Sequence, residues 1–151
     1  MGTRSTITFY SRMGGTNFFL VNIYQQYDGY LEGVGKELCE WLKTKIIVNG
    51  FSKSDFNIAN GAGCLAAKYI SEFKPVTGGL YIYPENVAHE DCDYNYSVII
   101  DENWMSTYPS SEQKAEDIIT IEVNNWDEEP FFKGSIQELL DYIEKHKEED
   151  E

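Results

Sequence analysis

The stretch Tyr24–Leu38, YQQYDGYLEGVGKEL, decides how this chain folds. Asp28-Gly29 between aromatic residues is a strong short-range hairpin signal, yet no returning strand follows. Gly33 and Gly35 come at once, and Leu38, Trp41 and Leu42 then fall at helical spacing. One reading satisfies both halves. A β-rich run ends near Gln25-Gln26, Asp28-Gly29 turns the chain, and a helix opens near Gly33 and runs to Ile46. Tyr24–Leu38 is a strand-to-helix corner.

Upstream of the corner, Ile7 and Phe9 alternate with Thr6, Thr8 and Tyr10 at strand period. SRMGGTN then turns around Gly14-Gly15 into FFLVNIYQQ, rich in β-formers, so the chain opens on an antiparallel hairpin. Downstream, VNGFSKSDFNIAN reads as a loop. NGAGCLAAKYISEFK places Ala62, Leu65, Ala66, Tyr69, Ile70 and Phe73 on one helical face, ended by Pro75 and Gly78-Gly79. GLYIYP, YNYSVIID and DIITIEVN read as three more strands, with a polar loop around Pro109 between the last two. In the closing helix Ser135 and Glu138 stand at capping-box spacing, ahead of a stripe of Ile136, Leu139, Leu140 and Ile143. The expected fold class is α+β, a mainly antiparallel sheet of about five strands with three helices in the order ββααβββα. No strand–helix–strand alternation demands a parallel sheet. Residues 1–147 make a single domain, and 148–151 an acidic frayed tail.

The chain has 151 residues and a formal net charge of −14. Residues 112–151 hold 14 acids and 4 bases, net −10, leaving −4 for the rest. A strongly acidic chain without a basic stripe is a poor partner for duplex nucleic acid or an anionic membrane. Cys39, Cys64 and Cys92 are odd in number and form no CxxC pair, so they encode neither a disulfide framework nor a zinc site. No apolar run reaches membrane length, and MGTRSTITFYS is not a signal peptide. The loose N-myristoylation pattern at Met1-Gly2 and Thr6 is set aside, because residues 5–10 read as a strand. A cytoplasmic location is expected.

Glycines and one arginine point to a site. Gly33 and Gly35 open one helix, and Gly61 and Gly63, after Asn60, open the other. Glycine costs a helix interior about 1 kcal/mol against alanine. At a helix start it lets a ligand or another backbone approach unpaired N–H groups. Each start is therefore an anion site, for a phosphate above all, or a tight packing point of helix on sheet. The spacing is neither a P-loop nor the dinucleotide fingerprint. If the second pair admits a close neighbour, valine at Gly63 should be badly tolerated. Arg4, one of two arginines, stands at the start of the first strand, and the hairpin brings it opposite Gln25–Asp28. It either forms a bidentate pair with Asp28 or takes a phosphate or carboxylate from a ligand. Tyr24, Tyr27 and Tyr30 surround this place, and Tyr81, Tyr83, Tyr94 and Tyr96 lie on neighbouring strands. Rings for a base and N–H groups for a phosphate suit a nucleotide-like ligand, and ordinary packing also explains half-buried tyrosines. The expected ligand-binding residues are Arg4, Gln26, Tyr27, Asp28, Gly29, Tyr30, Gly33, Gly35, Asn60, Gly61 and Gly63.

Chemistry finds less support. His89, Glu90, Asp91 and Asp93 match no known metal loop and read as a solvated acidic segment. His146 ends the last helix, where a base suits the helix dipole. No catalytic residue, metal or cofactor is assigned.

MGTRSTITFY, YQQYDGYLEGVGKEL, NGAGCLAAKYISEFK and GLYIYP, with FFKGSIQELLDYI at the end, together resemble a family of small uncharacterised bacteriophage-encoded proteins. Its members share the Gly-Thr-Arg-Ser, Gln-aromatic-Asp-Gly-Tyr and Asn-Gly-x-Gly-Cys-Leu-Ala-Ala motifs in this order over most of the chain. Many carry Gly-His-Gly where this chain has Gly33-Val34-Gly35. The resemblance implies no activity. It implies a phage setting in the host cytoplasm, in which binding an anionic, nucleotide-like molecule could sequester a host-defence signal. Two other readings stay open: a metal-assisted nucleotide hydrolase using Asp28 and His89, and an acidic protein-binding module. A homo-oligomer is compatible with each.

Overall fold

A computed structural model describes residues 2–50, 57–74, 78–107, 112–126 and 129–146. The acidic tail expected at 148–151 lies outside the described residues. The chain is α+β, with two mixed sheets and helices packed mainly on one side of the larger sheet.

The hairpin forms as expected. β1 (Ser5–Met13) pairs antiparallel with β2 (Thr16–Gln25), from Ser5 opposite Gln25 to Met13 opposite Thr16. Gly14 and Gly15 both have positive φ (58° and 80°), the backbone that a two-residue hairpin turn of this hand requires. A bulge between Val21 and Phe19 leaves Leu20 without a partner in β1. β5 (Leu80–Tyr83) then adds to the outer edge of β2 along Asn22–Gln25. On the other side, β6 (Tyr94–Asp101) lies parallel to β1, followed by β8 (Ile119–Asn124) and β9 (Phe132–Gly134). The order is β5-β2-β1-β6-β8-β9. The parallel β1–β6 pair departs from the mainly antiparallel expectation. It arises because residues 84–93 cross over β2 and β1 before β6 begins.

The corner after β2 becomes a π-turn, Leu31–Gly35, and leads into α1 (Lys36–Lys43). This helix stops short of the expected Ile46, because Ile46-Ile47-Val48 is β-branched throughout and forms β3 instead. β3 (Ile46–Val48) sits between β4 (Ile58–Asn60, parallel) and β7 (Glu112–Lys114, antiparallel) in a second sheet that the sequence reading lacks. α2 (Gly61–Phe73) follows β4 directly. Two four-residue helices, α3 (Trp104–Thr107) and α4 (Ala115–Ile118), a single 3₁₀ turn at His89–Asp91 and the long closing helix α5 (Ile136–His146) complete the described elements. The capping box is present: Glu138 N–H donates to Ser135 Oγ (3.1 Å) and Ser135 N–H to Glu138 Oε1 (2.9 Å).

The core lies between the helices and one face of the large sheet. Ile7, Phe9, Ile23, Tyr96, Val98 and Ile121 meet Leu38, Leu42, Leu65, Tyr69, Ile136 and Leu139, all essentially without solvent exposure. Each such side chain contributes about 1.5–3 kcal/mol by leaving water. The opposite, helix-free face carries Thr6, Thr8, Asn22 and Asn95, which are equally buried because the 84–93 crossover lies over them. Asn22 Nδ2 donates to the carbonyls of Pro84 and Val87 (2.9 Å each), and Asn95 Nδ2 donates to that of His89 (3.1 Å). Among the described residues no helix is long and apolar enough to cross a membrane.

Candidate functional site

The corner is held by its backbone. Asp28 adopts φ +58°, a left-handed conformation that Asp tolerates better than most residues. Gly29 N–H donates to the Thr3 carbonyl (2.9 Å), and the buried Tyr96 hydroxyl donates to the Gly29 carbonyl (2.8 Å). Val34 N–H donates to the Asp28 carbonyl (2.8 Å). The three glycines fit this close approach. A Cβ on Gly29 would stand 2.6 Å from Ser5 Cβ, one on Gly33 2.2 Å from the Asp28 carbonyl oxygen, and one on Gly35 3.0 Å from the Tyr96 hydroxyl. Tight packing of corner on sheet accounts for Gly29 and Gly35, and the corner's own backbone for Gly33.

The surface beside this helix start is acidic. An open hollow there is lined by Glu32, Gly33, Lys36, Glu37 and Glu40. Burial raises the Glu37 carboxyl above its ordinary range, and the charges of Asp28 and Glu40 push it further in that direction. A place where one carboxylate already disfavours another repels a phosphate.

The second glycine pair has a different explanation for each member. Gly61 has φ +81°, which only glycine adopts without strain, and lies at the entry to α2. The anion expected at this helix start is there, and it belongs to the protein. Glu102 Oε2 accepts from Ala62 N–H (3.0 Å), while Glu102 Oε1 accepts from the Ser11 hydroxyl. A carboxylate at a helix N-terminus meets both the unpaired donors and the positive dipole end. Gly63 needs no close neighbour: a Cβ there would meet nothing within 4 Å. The close protein neighbour on which harm from valine at Gly63 depended is absent there among the described residues. Asn60 uses its side chain elsewhere, accepting from Gly50 N–H (2.9 Å).

The two glycine starts therefore do not share a site. The first packs on Ser5, at the beginning of β1, and the second is tied through Glu102 to Ser11, near its end. Six residues of extended strand separate them, roughly 20 Å at about 3.3 Å per residue. The charge of Arg4 is felt at Tyr24 and Cys92, and that of Asp28 at Glu37.

Arg4 instead belongs to the helix-free face. The β1–β2 register sets it on the same face as Tyr24, and the β2–β5 register sets Tyr81 and Tyr83 beside Tyr24. The three rings form a cluster: Tyr24 to Tyr83 5.4 Å, Tyr24 to Tyr81 6.1 Å and Tyr81 to Tyr83 6.5 Å between centroids. Lys74 Nζ stands 5.3 Å from the Tyr81 ring centre, a cation–π distance. Burial raises the Tyr24 hydroxyl above its ordinary range, while a hydrogen bond and the charge from Arg4 pull it back. Burial pushes the Cys92 thiol up to about 11; Arg4 opposes this, and Asp91 and Asp93 add to it. The patch thus joins one exposed and two half-buried tyrosine rings to two cations, with two carboxylates at its margin. Of the other expected residues, Gln26 follows the end of β2 and donates its N–H to the Gly79 carbonyl (2.8 Å). Tyr27 and Tyr30 are exposed, Tyr27 against Gly2. The alternation Tyr81-Ile82-Tyr83 next to a Tyr24 strand was the signal for the tyrosine cluster.

His89 faces inward rather than into a solvated loop, with Nε2 3.4 Å from the Thr8 hydroxyl. Among the described residues no group of three or more His, Cys, Asp or Glu side chains is arranged to hold a metal ion. No protein-family model, curated protein or solved structure matches this chain.

Proposed function

We propose that the protein binds a small ligand carrying a flat ring and an anionic group, of nucleotide type, on the helix-free face around Arg4, Tyr24, Tyr81 and Tyr83. The observation that supports this most directly is the hydrogen bond and charge of the Arg4 guanidinium at Tyr24, one of three clustered tyrosines. Tyrosine faces accept a stacked base, at about 1–3 kcal/mol per base. Arg4, with Lys74 alongside, offers planar and point-charge donors to a phosphate. The corner glycines and the α2 start leave the proposal, because backbone and Glu102 already fill those places. The resemblance to phage-encoded proteins extends the reading to capture of a host-defence nucleotide signal by binding alone.

Thermal unfolding against a panel of mono-, di- and cyclic nucleotides tests this. A ligand at about 100 times its Kd adds about 2.7 kcal/mol, which for a chain of this size raises Tm by roughly 5–10 °C. The ligand should be recovered unchanged after denaturation. Arg4→Ala, at an exposed position, should abolish the shift while leaving the ligand-free Tm in place. No response to any nucleotide, or a response that survives both Arg4→Ala and Tyr24→Leu, refutes the reading.

A further inference from the structure

The outer edge of β2 is bare along half its length. β5 covers Asn22–Gln25 only, and Pro84 then takes the chain off the edge and across the helix-free face. Among the described residues no strand lies beside Thr16–Val21 on that side. Apolar side chains stand exposed along and around it. Phe18 is 48% and Leu20 36% exposed, with Met13 (47%) at the hairpin tip and Ile82 (60%) on β5. Soluble proteins blunt such edges with charged side chains, above all lysine. Here Met13 to Tyr27 contains no charged residue, in a chain of net charge −14.

We propose that Thr16–Val21 pairs antiparallel, about a two-fold axis, with the same segment of a second copy of this chain, joining two six-stranded sheets into one. The charge distribution selects the partner. Two copies at −14 repel over most of their surface, so they can meet closely only where neither carries charge, and this neutral edge supplies such a place. An isologous antiparallel pair uses the same patch on both copies and closes, which prevents growth into fibres. Backbone N–H and C=O groups of one edge satisfy those of the other, while Phe18 and Leu20 leave water. The Leu20 bulge is the one competing feature, since bulges also serve to protect edges.

Sedimentation equilibrium over a concentration series decides it. The expected species is a dimer of the 17.4 kDa chain. Its affinity should rise with added salt, because screening weakens repulsion between like-charged copies. The double variant Phe18→Lys/Leu20→Lys, altered only at exposed positions, should be monomeric with unchanged far-UV circular dichroism. Val87→Lys, exposed but off the edge, should remain dimeric. Should the lysine variant fold poorly, hydrogen exchange on the unaltered chain replaces it: amides of 16–21 should slow as concentration rises. A monomer at every concentration and salt overturns the proposal and gives the Leu20 bulge the protecting role. A dimer that persists in the double lysine variant also overturns it.

Discussion

Substituting Gly33 separates the packing account of the corner from the ligand account. In Gly33→Ala the new methyl would sit 2.2 Å from the Asp28 carbonyl oxygen, a main-chain atom that cannot rotate away. Ordinary carbon–oxygen contact needs about 1 Å more, so either the π-turn or the Asp28 peptide must move. Movement breaks the 2.8 Å bond from Val34 N–H to that carbonyl, a loss of about 0.5–1.5 kcal/mol. Overpacking adds about 1–3 kcal/mol, and the reduced entropy of the unfolded alanine chain returns about 0.4–1 kcal/mol. The net is a destabilisation of about 2–3 kcal/mol, or roughly 5–10 °C in Tm for a domain of this size. Gly63→Ala is the paired control. It adds a methyl with nothing within 4 Å in the first turn of α2 and should stabilise by up to about 1 kcal/mol. Urea titrations of the three proteins, without ligand, give both values. A neutral Gly33→Ala, or a Gly63→Ala as harmful as Gly33→Ala, would refute the assignment of close packing to one glycine and free space to the other.

Three further predictions concern Glu102 and the cysteines. Glu102→Gln preserves shape but removes the charge from the α2 N-terminus and from the bond with Ser11, and should cost about 1 kcal/mol by chemical denaturation; Glu102→Ala should cost more, about 1–3 kcal/mol, because Ser11 and Ala62 N–H lose their acceptor. Burial holds the Cys39 thiol up to about 12 and the Cys92 thiol up to about 11. A thiol whose folded pKa lies above its unfolded value near 9 contributes stability that is present below pH 9 and lost as pH climbs toward the folded value. Stability should therefore fall between pH 9 and 11–12, and Cys39→Ser/Cys92→Ser should flatten that decline. In the native protein near neutral pH, a thiol reagent followed by mass spectrometry should label Cys64 before either buried cysteine.

What was legible in the sequence was what local chemistry settles. The alternation in β1, the Gly14-Gly15 turn, the α2 stripe and the Ser135–Glu138 box each depend on residues within a few positions of one another, and all stand in the fold. The corner at Asp28-Gly29 was legible for the same reason, since a turn followed by helical spacing admits few conformations. What failed depends on partners far along the chain. β3, β4 and β7 are three residues each, too short for a period to show, and they exist because their backbones pair across the second sheet. Glu102 lies 40 residues from Ala62, and no spacing rule links a strand-end glutamate to a helix start that distant.

The same distinction explains what the glycines and the arginine each disclose. A glycine records only that something comes close, and at Gly29, Gly33 and Gly35 that neighbour is the chain's own Ser5, Asp28 and Tyr96. Two glycine-opened helices look alike in sequence, yet one end is filled by backbone and the other by a carboxylate. A positively charged planar group among aromatic faces carries more information, because a guanidinium has to satisfy its donors and few partners suit it. Arg4 was expected beside Asp28 because antiparallel pairing brings residues 4 and 26 to the same level. The strand ends before that level is reached: β2 stops at Gln25, and Asp28 lies beyond it in a left-handed turn (φ +58°), while Arg4 keeps the side of Tyr24. The register at Ser5–Gln25 thus places Arg4 on the tyrosine-bearing face rather than at the corner closed by its own backbone.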